Sequence, residues 1–357
     1  MVRAMALHAA LIMALMLLPG CESARHDIFA PPQKRLVWPP APFTPRIQWI
    51  GEISSDELAD FRPGFWHRLN AFIFGRERNS FVRTHGLFMN NKGIMAIADP
   101  GAGTVHILDT VEGRYRRLEK CGELALISPI GITADMDGNI YFTDSATGIV
   151  CRYDYQKNKA TILSPFRLKR PTGIAFNQRN GLLYIADAVA HKIVALDLSG
   201  KKRLSIGSAG NKPGLFNFPV ALTVNHKGEL LIVDALNGRI QIFTPDGQFL
   251  HTFGQPGDSS GSFAKPKDIA VDSQDHIYVV DALFDAVQVF DRSGQLLTAF
   301  GLSGHGPGEF WLPSGISIDA RDFIYVSDTY NQRIQIFKFL KDPEAISLKG
   351  TGEVANE

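Results

Sequence analysis

The sequence predicts an all-β fold, a six-bladed β-propeller with a short helical insertion before its first blade. Three observations carry this. First, an aspartate closes the second apolar run of six successive copies: Asp99, Asp144, Asp187, Asp234, Asp281 and Asp328, spaced 45, 43, 47, 47 and 47 residues apart. Second, each copy is a set of short alternating runs rich in Val, Ile, Tyr and Phe and punctuated by Gly, Asp and Asn turns. The clearest reads Pro266-Lys-Asp-Ile-Ala-Val-Asp272, Ile277-Tyr-Val-Val-Asp281, Val287-Gln-Val-Phe-Asp291, then Leu296-Leu-Thr-Ala-Phe-Gly301. Four short strands per repeat make a propeller blade. Third, the last copy stops after Arg333-Ile-Gln-Ile-Phe337 without a fourth run, while a lone strand-like segment, Arg46-Ile-Gln-Trp-Ile-Gly-Glu-Ile53, stands far upstream. A blade cannot bury both faces alone, so the six are expected to pack in a ring.

The elements follow in order. Residues 1–20 read as an export signal, with Arg3 as the positive region and an apolar run from Ala4 to Leu18 too short to span a bilayer. The run leads into Leu18-Pro19-Gly20-Cys21, which resembles the lipobox of bacterial lipoproteins. The resemblance implies that Cys21 is lipidated and becomes the first residue. An ordinary secretory signal ending near a cysteine is the alternative. Glu22, rather than Asp, points towards the outer membrane. Residues 21–45 hold Pro31, Pro32, Pro39, Pro40, Pro42 and Pro45 and read as a stiff tether. Residues 46–54 are expected to close the ring as the outer strand of blade six, because an unpaired edge there would invite aggregation.

Residues 55–80 break the β pattern. Phe65, Trp66, Leu69, Phe72 and Ile73 fall at helical spacing, with Arg62, His67, Arg68, Arg76 and Arg78 around them. Such a helix would either dock on the ring or present a basic amphipathic face to lipid or a partner. The propeller proper is expected over 81–340, and 341–357 as a flexible tail.

Composition narrows the function. The 37 Lys and Arg balance 36 Asp and Glu, so no global field points to nucleic acid, and export argues against it as well. Cys121 and Cys151 would share an oxidising compartment, and the sequence leaves open whether they pair. Neither has the CxxC or Cys/His company of a metal, redox or haem site, and no phosphate loop or nucleophile elbow is present. No cofactor is expected.

The connectors between copies carry a second signature. Gly207-Ser-Ala-Gly-Asn-Lys-Pro-Gly-Leu-Phe216 precedes Pro219, Gly254 to Phe263 precedes Pro266, and Gly301-Leu-Ser-Gly-His-Gly-Pro-Gly-Glu-Phe310 precedes Pro313. With Asn237-Gly-Arg-Ile-Gln-Ile-Phe243 and Asn331-Gln-Arg-Ile-Gln-Ile-Phe337, these resemble the NHL repeat family over nearly all of 81–340. Copy one departs most, lacking the leading proline and the glycine-rich connector. The resemblance implies a six-bladed propeller and little about chemistry, since the family includes binding scaffolds, nucleic-acid readers and a few lyases.

Repetition itself argues that the six closing aspartates are structural. Asp at a strand end accepts backbone N–H bonds from the following turn, and Arg239 and Arg333 are placed to pair with them. Positions that differ between copies are better site candidates. The residue after each leading proline, and its equivalent in copy one, should rim the central channel: His85, Ile130, Thr172, Val220, Lys267 and Ser314. Arg83, Arg170 and Lys265 stand two residues before their own rim positions. The expected binding residues are therefore His85, Arg170, Thr172, Lys265, Lys267 and Ser314, at a mouth suited to an anionic group or an acidic loop.

Of the ten histidines, only His85, His191 and His305 are expected near that mouth, and no pair has metal-ligand spacing. No catalytic or metal-binding residue is assigned. The reading is an envelope lipoprotein on the periplasmic side of the outer membrane, binding a protein or polysaccharide without chemistry of its own. The alternative is a metal-dependent lyase or hydrolase in the central channel.

Overall fold

The structure, a computed structural model, describes residues 36–55, Leu58 and 80–341. Six antiparallel sheets stand around a central axis as the blades. In blade one the strands are Leu87–Met89, Ile94–Asp99, Thr104–Asp109 and Arg114–Leu118, running from the channel outwards. Blades two to five begin with inner strands Pro129–Ala134, Pro171–Asn177, Pro219–Val224 and Pro266–Val271, and each adds three more. Blade six starts with Ile316–Ile318, Phe323–Asp328 and Arg333–Phe339. Each inner strand touches the next around the ring, and Ile316–Ile318 touches Leu87–Met89.

Ile47–Ser54 lies antiparallel to Arg333–Phe339, from Ile47 opposite Phe339 to Ser54 opposite Arg333. It gives blade six the strand its own repeat lacks. The Glu52 carboxylate accepts from Arg333 Nη1 at 2.9 Å, and Trp49 Nε1 donates to Gln335 Oε1 at 3.0 Å. Part of the stretch expected to be tether also lies on the ring. Val37–Trp38 pairs with Gln48 and Ile47 as a fifth strand, because the Trp38 ring finds apolar cover against Phe300 and Phe337. The lipidation site, the helical stretch (apart from Ser55, Leu58 and Ser80) and the tail beyond Lys341 lie outside the described residues.

Burial explains why the runs differ in pattern. Second strands such as Tyr278's, Ile277–Asp281, are buried at every position because blades pack on both faces. Outer strands such as Leu296–Phe300 alternate partly buried and exposed positions and end on a buried one, Phe300. Six apolar clusters fill the six gaps between neighbouring blades, and Leu87, Ile97, Ile336 and Ile53 share the one that joins the chain's two ends. The core is therefore between blades, not within them.

Cys121 and Cys151 form a disulfide, with Cα atoms 6.1 Å apart. It ties the connector leaving blade one to the third strand of blade two, and both sulfurs are fully buried.

A second set of carboxylates and amides holds the turns at one end of the ring. Asn90, Asp135, Asn177, Asn225, Asp272 and Asp319 each follow an inner strand and hold the next turn through backbone N–H groups. Buried tyrosines six residues on complete three of them: Tyr141, Tyr278 and Tyr325 donate to Asp135, Asp272 and Asp319 at 2.8, 3.0 and 3.2 Å. A buried phenol needs such an acceptor.

Candidate functional site

The closing aspartates fold the opposite, open end. Asp99 accepts from the N–H groups of Val82 (2.7 Å) and Arg83 (3.0 Å), and Asp144 from Ile127 (2.7 Å) and Ser128 (3.0 Å). Asp187 accepts from Lys169 and Arg170, Asp234 from Asn217, Asp281 from Ala264 and Lys265, and Asp328 from Trp311. Each carboxylate thus clamps the loop that enters its own inner strand, besides holding its own turn as with Ala102, Thr147 and Leu283. Arg239 and Arg333 pair with Asp234 and Asp328 at 2.9 and 2.8 Å. These side chains are fully occupied with architecture.

Beyond the clamp the inner strands turn into the channel through a register shift, as between Pro266 and Asp268 or Pro219 and Ala221. A bulge there re-aims the next side chains at the axis. The strands crowd so closely that blades one, two, three and six carry Gly86, Gly131, Gly173 and Gly315 at this point. A Cβ on Gly315 would meet His85 O at 1.9 Å, and one on Gly131 would meet Thr172 O at 2.3 Å. Blade four has Ala221. Blade five has Asp268, a carboxylate where the other blades tolerate almost nothing.

The resulting cavity encloses about 380 Å³ and runs along the channel. His85, Lys267, Asp268, Ile130 and Val220 line its open end; Phe88, Phe176, Val271 and Ile318 line it further in. His85 is held down at about 4 by burial and then by the Lys267 charge, so it is neutral at physiological pH. Lys267 is itself held below its usual range by burial and by Lys265. Burial pushes Asp268 up to about 7, although its oxygens accept the N–H groups of Ile316 at 3.0 Å and Ile269 at 2.9 Å. The desolvation of the carboxylate outweighs two good hydrogen bonds.

The six residues expected to bind are therefore split. His85 and Lys267 face the channel. Arg170 and Lys265 are exposed on the rim outside it, with Arg83 and Lys169, and Arg170 lies over the Phe218 ring at 5.7 Å. Thr172 and Ser314 are buried at blade junctions instead. Thr172 Oγ1 donates to Ala186 O, and Ser314 Oγ bonds Thr84 O and Thr329 Oγ1. A small hydroxyl side chain next to a carbonyl satisfies itself before it meets a ligand.

Asp268 was missed by sequence reasoning. Its signal was a departure from the small residue that follows every other rim position. Also missed was a set of exposed apolar side chains at the same end: Val189, Leu236, Leu283, Trp311 and Tyr330, with Val82 and Ile127. The first three and Tyr330 each stand two residues after a closing aspartate. Trp311 and Tyr330 pack with ring centroids 5.5 Å apart.

His191 and His305 do not join His85. His191 Nδ1 accepts from Phe218 N at 3.2 Å, and His305 Nδ1 bonds Asn331 Oδ1 at 2.6 Å while its ring meets Trp311 edge-on. His106 is fully buried in the third strand of blade one, against Tyr115 and Asp99. Among the described residues, no three His, Cys, Asp or Glu side chains group where they could hold one metal ion.

The fold defines the class: this is a six-bladed β-propeller. A family model described as 6-bladed beta-propeller, DUF5128, matches residues 219–287 and 273–343, which are blades four to six. Among solved structures, virginiamycin B lyase from Staphylococcus aureus is similar at 17% identity and a TM-score of 0.56, over 73% of this chain and 97% of that one. A gluconolactonase from Xanthomonas campestris matches at 15% identity and 0.57, over 73% and 88%. An auxiliary nutrient binding protein from Bacteroides thetaiotaomicron matches at 15% and 0.58, over 73% and 70%. At these identities the likeness is one of fold, and propellers of this shape include both enzymes and binding proteins.

Proposed function

We propose that the protein is an NHL-type propeller of the bacterial cell envelope, tethered to the membrane through Cys21, that binds a protein or polysaccharide partner on its open end and has no chemistry of its own. The contrast between the two ends carries this reading. At one end the turns are short and held by Asx side chains. The other sets exposed Leu236, Leu283, Trp311 and Tyr330 around a mouth rimmed by Arg83, Lys169, Arg170 and Lys265. Exposed apolar side chains gathered on one face of a rigid ring, with charges around them, have the composition of an interaction surface.

Site-specific photocrosslinking in cells tests the docking face. A crosslinking residue at Leu236 or Leu283 should yield an adduct, and one at Met136 or Lys227 at the opposite end should not. Equal adducts from both ends would defeat the proposal. Cys21→Ser should abolish acyl labelling and release the protein from the membrane fraction; retained labelling would defeat the anchor.

A further inference from the structure

Resting on the proposal that the open end is the binding end, we propose that Lys267, Lys265 and His85 form a socket for a single carboxylate attached to an apolar body. Three observations converge on it. Lys267 is partly buried in the channel wall, and among the described residues neither it nor Lys265 has a carboxylate within ion-pair distance. A desolvated ammonium beside a second ammonium is unfavourable unless an anion joins them. Lys265 adds its charge from the rim: after burial, it lowers the proton affinity of Lys267, as Lys267 in turn lowers that of His85.

Lys267 and His85 both line the channel. They occupy equivalent positions in blades five and one, and blade six between them offers Ser314, whose hydroxyl is turned away to Thr84 O and Thr329. His85 Nδ1 is buried without a hydrogen-bond partner. An imidazole in that state keeps its other nitrogen as the group to offer a ligand. Opposite these polar groups the rim positions are Ile130 and Val220, and Phe88, Phe176 and Val271 follow inside. Cations on one side and hydrocarbon on the other fit an acid group with an apolar flank.

Chemistry also separates a carboxylate from a phosphate. A dianion would face Asp268, which carries negative charge for part of the time near neutrality. A carboxylate brings only one charge and can accept a hydrogen bond from the Asp268 carboxyl when that group is protonated. The carboxylate can belong to a free acid or to an acidic side chain of the docked partner.

The test is titration of the full chain at pH 6.5, following the His85 ring protons and the Lys267–Ile269 amides by NMR. Hexanoate, hexanamide, inorganic phosphate and the blocked peptide acetyl-Ala-Leu-Asp-Leu-Ala-amide are the probes. Hexanoate or the peptide should shift these resonances saturably, at least tenfold more tightly than hexanamide. Lys267→Gln should weaken that binding at least tenfold and Lys267→Arg should restore it; Lys265→Gln, on an exposed position, should weaken it several-fold if Lys267→Gln does not fold. Tighter peptide binding assigns the socket to the partner, and tighter hexanoate binding assigns it to a free acid. Equal binding of the amide, preference for phosphate, indifference to both lysine variants, or no saturable shift with either acid would overturn the socket. Adducts from Leu236 together with any of those results would leave the docking face standing and the socket rejected.

Discussion

Asp268 is the residue at which this ring departs from its own symmetry. Four of the other blades put glycine there because a Cβ has no room, yet blade five places a carboxyl group in the channel wall. Its position carries a pH signature. The unfolded carboxyl titrates near about 3.9, whereas the folded one is pushed up to about 7. Between those values the folded chain binds more protons than the unfolded chain, so this contribution to stability is full below pH 4 and is lost as pH rises through 7. Asp268→Asn loses one of the two N–H acceptors at every pH but cannot ionise, so it should be more stable at pH 8 than its effect at pH 4 implies by about 1–2 kcal/mol, a figure reduced for the wetted channel side. Denaturant melts at both pH values measure it. A loss at pH 8 larger than that at pH 4 would show that the ionised carboxylate is favoured there. The closing aspartates have the opposite character. Asp281 is fully buried and holds Ala264, Lys265 and Leu283 by their N–H groups. Asp281→Ala should cost about 3 kcal/mol, read as a lowered melting temperature, because buried donors are left unpaired.

At the scale of elements, Ile47–Ser54 deserves the closest comparison with the repeats it completes. It is separated from its partner strand by the whole ring, yet Ile53 is fully buried in the apolar cluster between blades six and one. Ile53→Ala should cost about 3 kcal/mol, and Gln48→Ala on the same strand under about 0.5 kcal/mol, by equilibrium unfolding. Similar small losses from both would mean that the strand adds little to closure. The incomplete sixth repeat was legible because a missing strand leaves an edge. The extra pairing of Val37–Trp38 was not, because two residues between prolines carry no period and their cover comes from Phe300 and Phe337 nearly the whole chain away. The disulfide was undecidable for a related reason: spacing along the chain says nothing of Cα separation across a blade boundary.

For the whole molecule, rigidity and variation are divided between its ends. Asx residues hold the turns of one end in every blade, whereas the open end varies from blade to blade around the channel mouth. Reversing Arg170 and Lys265 to Glu should weaken partner capture about tenfold or more while leaving the melting curve nearly unchanged, since exposed charges contribute little to folding. An altered melt, or capture unaffected by the pair, would place the interface elsewhere. The lyase or hydrolase alternative makes a different prediction, stoichiometric metal in the purified full chain that is lost on His85→Ala. The binding reading expects metal content near zero and no change in melting temperature with a chelator.

The repeat by itself determined the architecture. Six copies with two-residue alternation and a closing aspartate can bury their apolar faces only against one another, and that requirement leaves a ring. It also determined which carboxylates were structural, since a residue copied into every blade serves what every blade needs. Only the tertiary structure decided the site. Whether Thr172 and Ser314 face a ligand or a neighbouring carbonyl depends on how tightly adjacent blades approach. How Lys267 and His85 stand to each other depends on blade six between them and, for Lys267, on the bulge between Pro266 and Asp268. These are distances across the axis between residues from opposite ends of the chain, and no local pattern encodes them.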